Sequence, residues 1–309
     1  MRLITHDEAM ALYDYGPLID FMEEAHRRPP ALQGEMWLQS HDGDGLLART
    51  GFVPGDGLGI KLAAVFPGNV AIPTIHTVYV LFDPDNGREQ AVIASNALTW
   101  FKTACDSGLA ARHLAREDAS HLVMVGAGSM ATHCIKAHLA ARPSLDRVTI
   151  WNRSPKRALL LADLLRAETG IDMSVAHDLG AAVESADIVC CATMATAPLI
   201  EGAWLRPGTH VDAIGAFTPD MREVDDEVLR RSRIFVDSRP STIPHIGELM
   251  IPLASGVIGV DDVLADHYEL ATGAVEGRTG PEDITFFKNG GGGHLDLMAA
   301  QFLLSRTDP

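Results

Sequence analysis

The sequence predicts an α/β protein: a doubly wound parallel sheet joined to an α+β domain assembled from both chain ends. Three observations carry this. Between residues 116 and 289, apolar strand-like runs alternate with helical stretches in units of roughly 30 residues, the pattern of parallel strands with right-handed crossover helices. The first of those strands runs directly into a glycine turn, Gly126-Ala127-Gly128. Residues 1–115 carry instead short apolar segments parted by Gly, Pro, Asn and Asp, as in a sheet with tight connections.

The first domain opens with a helical stretch from Asp7 to Arg27 that stops at Arg28-Pro29-Pro30, because proline lacks a donor and disfavours a helical predecessor. Turn chemistry follows at His41-Asp42-Gly43-Asp44-Gly45, Pro54-Gly55-Asp56-Gly57, Pro67-Gly68-Asn69 and Asp83-Pro84-Asp85-Asn86-Gly87. Between these turns, Gly59–Phe66 and Thr77–Phe82 read as strands of an antiparallel or mixed sheet. A helix from Ser95 to Ala115 closes the region. In the second domain, strands are expected at His121–Val125, Arg147–Trp151, Met173–Ala176, Ile188–Ala192, His210–Ile214 and Ile234–Asp237. Helices are expected at Ala131–Ala141 and Pro155–Glu168, the latter with Ser154 as N-cap and proline at its first position. The tail from Phe286 to Leu304 holds Gly290-Gly291-Gly292-Gly293 and a helix, His294–Leu304, expected to pack back on the first domain.

With 309 residues, 47% of them hydrophobic, the chain has material for two packed domains. It carries 25 Lys+Arg against 41 Asp+Glu, a formal charge of −16, which excludes a nucleic-acid surface and a polybasic membrane footing. The opening residues, Met1 to Glu8, place acids where a signal peptide needs an apolar run. No stretch reaches the roughly 18 unbroken apolar residues of a membrane span. Cys105, Cys134, Cys190 and Cys191 show no C-x-x-C spacing and read as free thiols of a reducing cytoplasm, with neither a disulfide framework nor a metal site signalled.

The sharpest motif is Val125-Gly126-Ala127-Gly128-Ser129-Met130-Ala131, following a strand and opening a helix. Gly126 permits the tight turn, Gly128 the approach of a pyrophosphate and Ala131 close helix–sheet packing, so the turn predicts a dinucleotide. An NAD site expects an acid about 20 residues on, at the tip of the second strand. That tip here is Trp151-Asn152-Arg153-Ser154, without a carboxylate. Arg153, Ser154 and Arg157 suit a 2′-phosphate instead, which predicts NADPH, with NADH the alternative. Thr193, just past the Ile188–Ala192 strand, completes the expected cofactor set.

Lys61 stands inside the apolar strand Gly59–Phe66, where a charge is expensive unless it is used. Arg49 and Lys102 are likewise embedded among apolar residues. Three such cations in an acidic protein predict a pocket for a carboxylate. His76, in Pro73-Thr74-Ile75-His76-Thr77, offers a titratable proton, although a structural histidine fits the same pattern.

Taken in order, Lys61 with Phe66-Pro67-Gly68-Asn69, Leu81-Phe82-Asp83-Pro84, Leu98-Thr99, Gly126 to Ala131 and Ile284-Thr285-Phe286-Phe287-Lys288 resemble the ornithine cyclodeaminase/mu-crystallin family over nearly the whole chain. The resemblance implies a homodimer and a Rossmann domain, residues 116–289. It also implies a substrate-binding and dimerisation domain from residues 1–115 and 290–309, with the substrate between the two. By position it makes Lys61 the ligand of the substrate carboxylate, Thr103 and Ser129 phosphate contacts, and Asn152-Arg153-Ser154 an NADPH-type tip. Two departures matter. Where cyclodeaminases of the family carry a catalytic aspartate, this chain has Phe217, with Asp220 three residues on; where they carry an early arginine, it has Pro30-Ala31-Leu32-Gln33. Lys102 replaces a family arginine, and Arg49 is read as restoring the lost positive charge.

Cyclodeamination needs a base to handle an amine, whereas reduction of a preformed cyclic imine needs a carboxylate clamp, a hydride and a proton. The expected activity is therefore NAD(P)H-dependent reduction of a cyclic ketimine carboxylate, Δ1-pyrroline-2-carboxylate or Δ1-piperideine-2-carboxylate, to L-proline or L-pipecolate. Lys61, Lys102 and Arg49 would grip the carboxylate, and Lys61 or His76 would supply the proton. The rival readings are an ornithine cyclodeaminase or amino-acid dehydrogenase, and a mu-crystallin-like protein that binds nucleotide and ligand without turnover.

Overall fold

A computed structural model describes residues 1–307. It divides into two compact units, residues 1–103 with those from 291 onward, and residues 104–290. The first division falls earlier than the sequence-based 115/116. The reason is the helix Asn96–Leu114: its residues Ala110 and Leu114 cluster with Phe235 and Phe287, so its later turns belong to the core of the second unit.

The first unit comprises β1 (Arg2–Ile4), α1 (His6–Leu12), α2 (Tyr15–His26), β2 (Leu32–Gln39), β3 (Gly45–Val53), β4 (Gly57–Val65), β5 (Ile75–Phe82), β6 (Glu89–Ala94) and the start of α3 (Asn96–Leu114). The single helix expected over Asp7–Arg27 is broken at Tyr13 and Asp14, both extended. Tertiary contacts explain the break: the Tyr13 ring stacks on Phe101 at 4.8 Å and its hydroxyl donates to Ala299 O at 3.1 Å. The sheet has six strands in the order β1-β6-β5-β4-β3-β2, antiparallel except for β1 beside β6.

Register decides which side chains meet. Glu35 pairs with Arg49, Arg49 with Lys61, and Lys61 with Tyr79; directly paired residues share a sheet face, so these four form one row. The odd-numbered face of β3 is covered by the tail helix, α11 (Gly293–Ser305). The approach is close enough that a Cβ on Gly51 would stand 2.5 Å from Gly293 O. Gly291, at φ 72°, turns the chain into that helix. The four-glycine run is thus a packed helix entry. On the opposite face, Leu58, Ile60, Leu62, Val78 and Val80 stay only half-buried, and Leu38, Leu46 and Phe52 are exposed.

The second unit continues through β7 (His121–Val125), α4 (Ser129–Ala141), β8 (Arg147–Trp151), α5 (Pro155–Thr169), β9 (Asp172–Val175), α6 (Leu179–Glu184), β10 (Ile188–Cys191), β11 (His210–Ala213), α7 (Asp226–Arg231), β12 (Ser232–Val236), α8 (Arg239–Thr242), α9 (Gly247–Ala254), β13 (Val263–Ala265), α10 (His267–Ala271) and β14 (Ile284–Lys288). The expected strands are found within a few residues of their positions. β14, where no strand was expected, inserts between β11 and β12; it shows no alternation because every residue of it is buried. The eight-stranded order is β13-β12-β14-β11-β10-β7-β8-β9, with every pairing parallel. The order reverses between β7 and β10, where open α/β sheets bind ligands at their carboxyl ends.

Ser154 does cap α5, but its side chain makes no capping bond. All four cysteines are buried. Among the described residues, no helix is long and apolar enough to cross a membrane.

Candidate active site

In the second unit the glycine turn is built at the reversal point. Gly126 has φ 110°, and a Cβ on it would stand 2.6 Å from Ala192 O, so a larger residue is excluded. Its amide donates to Trp151 O at 2.8 Å. Gly128 is the N-cap of α4, with no side-chain capping bond. A Cβ there would meet nothing within 4 Å, so the space ahead of the helix is open. Ser129 and Met130 begin that helix, whose N-terminal dipole favours an anion, while Ala131 is buried against the sheet. Open space, a helix N-terminus and a turn without side chains fit a pyrophosphate.

The strand tip is organised by Asn152, whose Oδ1 accepts from Ala127 N at 3.1 Å and whose Nδ2 donates to Ser154 O at 3.0 Å. Arg153, Ser154 and Arg157 are exposed beside it. Thr193 lies against Gly126, its Cγ2 3.4 Å from a Cβ built there. Its amide and hydroxyl both donate to Glu223 Oε1, at 2.7 and 2.8 Å. Glu223 Oε2 accepts from Gly215 N at 2.6 Å, so one buried carboxylate ties the loop after β10 to the loop after β11. Thr193 therefore shapes the crevice with its donors already engaged. Glu248 in turn accepts from the amides of Glu223 and Val224 at 2.8 and 3.1 Å. Burial pushes the Glu248 carboxyl up to about 7 against the pull of Lys288.

In the first unit, Lys61 and Lys102 are buried, as is a residue the sequence reading did not single out, Asp296 in the first turns of α11. Lys61 Nζ donates to Asp296 Oδ1 at 3.0 Å and lies 2.9 Å from Oδ2. Lys102 Nζ is 3.2 Å from Asp296 Oδ1 and donates to Gly291 O at 2.5 Å and Gly292 O at 3.4 Å. Arg49 reaches Glu35 Oε2 at 2.5 Å through Nε and Gly291 O at 3.3 Å through Nη1.

Three cations thus face two carboxylates, of which only Asp296 is fully buried. Burial lowers the Lys61 ammonium to about 8; Asp296 works against this, and Lys102 and Arg49 add to it. Burial alone would raise Asp296, but the charges of Lys102 and Lys61 hold its carboxyl below the usual range.

Lys102, expected to grip the substrate carboxylate, donates to two glycine carbonyls and lies 3.2 Å from Asp296 Oδ1. His76 was an expected proton donor. It pairs with Ala64 while Tyr79 pairs with Lys61; three residues along a strand reverse the face, so His76 points away from Lys61 and is exposed. Lys61 differs from both. Among the described residues its Nζ has one hydrogen-bond partner, Asp296, which leaves donors to spare. Arg49, with a side chain 25% exposed, also keeps guanidinium donors beyond its two bonds.

Thr103, also on α3, is half-buried. Phe217 is 54% exposed in the loop after β11, and Asp220 accepts from Thr218 Oγ1 at 2.6 Å. The signal for Asp296 was present in Leu295-Asp296-Leu297-Met298, a lone acid in an apolar helix, by the same reasoning that singled out Lys61. The Tyr79 hydroxyl, buried in the same row, has no hydrogen-bond partner among the described residues.

Comparison with known proteins agrees with this architecture. The sequence model of the ornithine cyclodeaminase/mu-crystallin family matches residues 17–308. A Δ1-pyrroline-2-carboxylate reductase of Paracoccus denitrificans is 44% identical over 306 residues, covering 98% of this chain and 96% of that protein. The Δ1-pyrroline-2-carboxylate reductase of Thermococcus litoralis, solved in complex with NADH and L-proline, superposes with a TM-score of 0.92 at 26% identity, over 99% of this chain and 97% of that one. An archaeal alanine dehydrogenase dimer with bound NAD gives 0.91 at 28% identity, over 99% and 95% of the two chains.

Proposed function

The chain belongs to the ornithine cyclodeaminase/mu-crystallin family, and from that premise we propose that it is an NAD(P)H-dependent reductase of a cyclic ketimine carboxylate, forming L-proline from Δ1-pyrroline-2-carboxylate or L-pipecolate from Δ1-piperideine-2-carboxylate. The observation that carries this is Lys61, a buried ammonium anchored by one carboxylate and retaining free donors. Arg49 and Lys61 bind the substrate carboxylate, and Lys61 passes a proton to the ring nitrogen as the imine carbon is reduced. Bound at the glycine turn, a reduced nicotinamide supplies the hydride. Gly128 and the first turn of α4 hold its pyrophosphate, and Glu223 keeps the neighbouring loops in register.

No carboxylate is offered from the position of Phe217, and Asp220 is exposed and engaged with Thr218. The position of the family's catalytic aspartate thus offers no base for ring closure from a diamino acid, and this supports reduction over cyclodeamination. The test is a panel of cyclic imines and diamino acids with each nicotinamide, followed by absorbance. NADPH oxidation with pyrroline-2-carboxylate is expected. Ammonia release from ornithine with NAD, without imine reduction, would overturn the reading.

NADPH is the proposed physiological donor, because Arg153 and Ser154 stand exposed at a tip without an acid. A homodimer is proposed through the half-buried face of the first sheet. Leu38, Leu46, Ala64 and Phe66 there line an open groove of about 490 Å³, and a sheet face this apolar calls for cover. A second copy is the occupant supported by the dimeric archaeal relative. Light scattering is expected to give twice the chain's 33.2 kDa. Leu38→Asp with Leu46→Asp should shift it to the monomer mass, since burying two unpaired carboxylates costs several kcal/mol. A cytoplasmic location is proposed, supported by the buried thiols of Cys134, Cys190 and Cys191.

A further inference from the structure

We propose that Asp296 is the positioning residue of this site: from α11 it fixes the Lys61 ammonium and keeps it charged, while Lys102 serves as its counterweight and locks the glycine run rather than meeting the substrate. The inference rests on the reading of Lys61 as proton donor to the imine.

The groups facing Lys61 come from four elements: Arg49 on β3, Tyr79 on β5, Lys102 on α3 and Asp296 on α11. Two of these are cations and one is a neutral hydroxyl, whose titration burial pushes far up. Asp296 is therefore the only anion of the four. Glu35, the other carboxylate of the row, is spent on Arg49. An ammonium in a dry interior beside two like charges sheds its proton unless a carboxylate compensates.

Geometry assigns the orienting task to the same residue. Asp296 contacts Lys61 through both oxygens, so the lysine is held from one side, by α11. Lys102 donates to Gly291 O and Gly292 O and lies 3.2 Å from Asp296 Oδ1, which pins the entry of α11 and so the carboxylate itself. The proton balance closes within this cluster. An N–H bond forms at the ring nitrogen as a Lys61 Nζ–H bond breaks, the electron pair arrives on carbon with the hydride, and the neutral amine regains its proton from water. Asp296 stays ionised throughout.

Asp296→Asn keeps the shape and removes the charge. The alkaline limb of the kcat/KM profile is expected to move at least one pH unit lower. That leaves a loss of about fivefold or more near pH 8 and a smaller one near pH 6. A purely structural role would lower kcat/KM equally at all pH values, and that result overturns the proposal. Asp296→Glu, which retains the charge, is expected to keep the limb at its wild-type pH with a reduced maximum; a limb displaced in this variant also overturns it and serves as the test should the Asn variant not fold. NADPH binding by titration calorimetry controls for the second unit. If the wild type reduces the imine and only the limb of Asp296→Asn is unmoved, the positioning role fails alone. If the wild type reduces no imine, the functional reading fails and this inference falls with it.

Discussion

Lys61→Met is expected to lower kcat/KM for pyrroline-2-carboxylate about a thousandfold while leaving the NADPH dissociation constant within about twofold of wild type. Methionine matches the length of the lysine stem without its charge, so the change removes both the substrate-facing donor and the proton. A general acid is worth about 10²–10⁴ in rate, and truncating one member of a buried charge pair costs about 2–5 kcal/mol in binding. Apart from Thr103, the proposed cofactor residues lie within 104–290, whereas Lys61 belongs to the other unit, so affinity for NADPH is expected to hold. Asp296 keeps Lys102 as partner in the variant, and the loss of stability stays below that of an orphaned buried carboxylate. In the wild type, Lys61 titrates near 8 because burial lowers it. The required form is the protonated one, so kcat/KM should be sustained below that pH and fall as pH rises through it. Steady-state NADPH oxidation across pH 6–10 with calorimetric cofactor binding tests both statements. Turnover within tenfold of wild type, or a parallel loss of NADPH affinity, would remove Lys61 from the chemistry.

How much of this was legible in the sequence depends on the range of the physics. The parallel sheet was legible because a strand–helix alternation is local, and the glycine turn because its steric demands lie within a few residues of one another. Lys61 was legible because a charge in an apolar strand is anomalous wherever its partner lies. The partner itself was not: Asp296 is 235 positions away, and only the folding of the tail onto the first sheet brings the two together. The same long-range packing gives Lys102 its contacts with Gly291 O, Gly292 O and Asp296, none of which is local in sequence. The face that His76 occupies depends on register, which a strand boundary misplaced by even one residue inverts. Glu223 went unremarked because its role is to bind two amides, Thr193 N and Gly215 N, and backbone partners leave no trace in a sequence. The break at Tyr13 shows tertiary contacts overriding helix propensity: the ring and hydroxyl gain more from Phe101 and Ala299 than the helix gains from continuity.

Arg153→Asp is expected to raise the NADPH dissociation constant about tenfold or more and leave NADH binding unchanged or tighter, reversing the cofactor preference. A hydrogen bond to a charged group contributes about 1.5–3 kcal/mol, and 1.4 kcal/mol is a factor of ten. Arg153 is exposed, so water and salt screen the contact and the lower part of that range applies. The new carboxylate stands where a ribose 2′-hydroxyl finds an acceptor in NAD-specific folds, and it repels a 2′-phosphate. The substitution should not disturb the turn, because the tip is held by Asn152, which accepts from Ala127 N and donates to Ser154 O, and neither bond involves the Arg153 side chain. This separates recognition from damage: loss of the 2′-phosphate contact affects NADPH alone, whereas a distorted cradle weakens both nucleotides alike. Titration calorimetry with NADPH and NADH on wild type and variant, at low and at physiological salt, reads the difference. Tighter binding of NADH by the wild type, or equal weakening of both by the variant, would show that the acid-free tip does not select the phosphate.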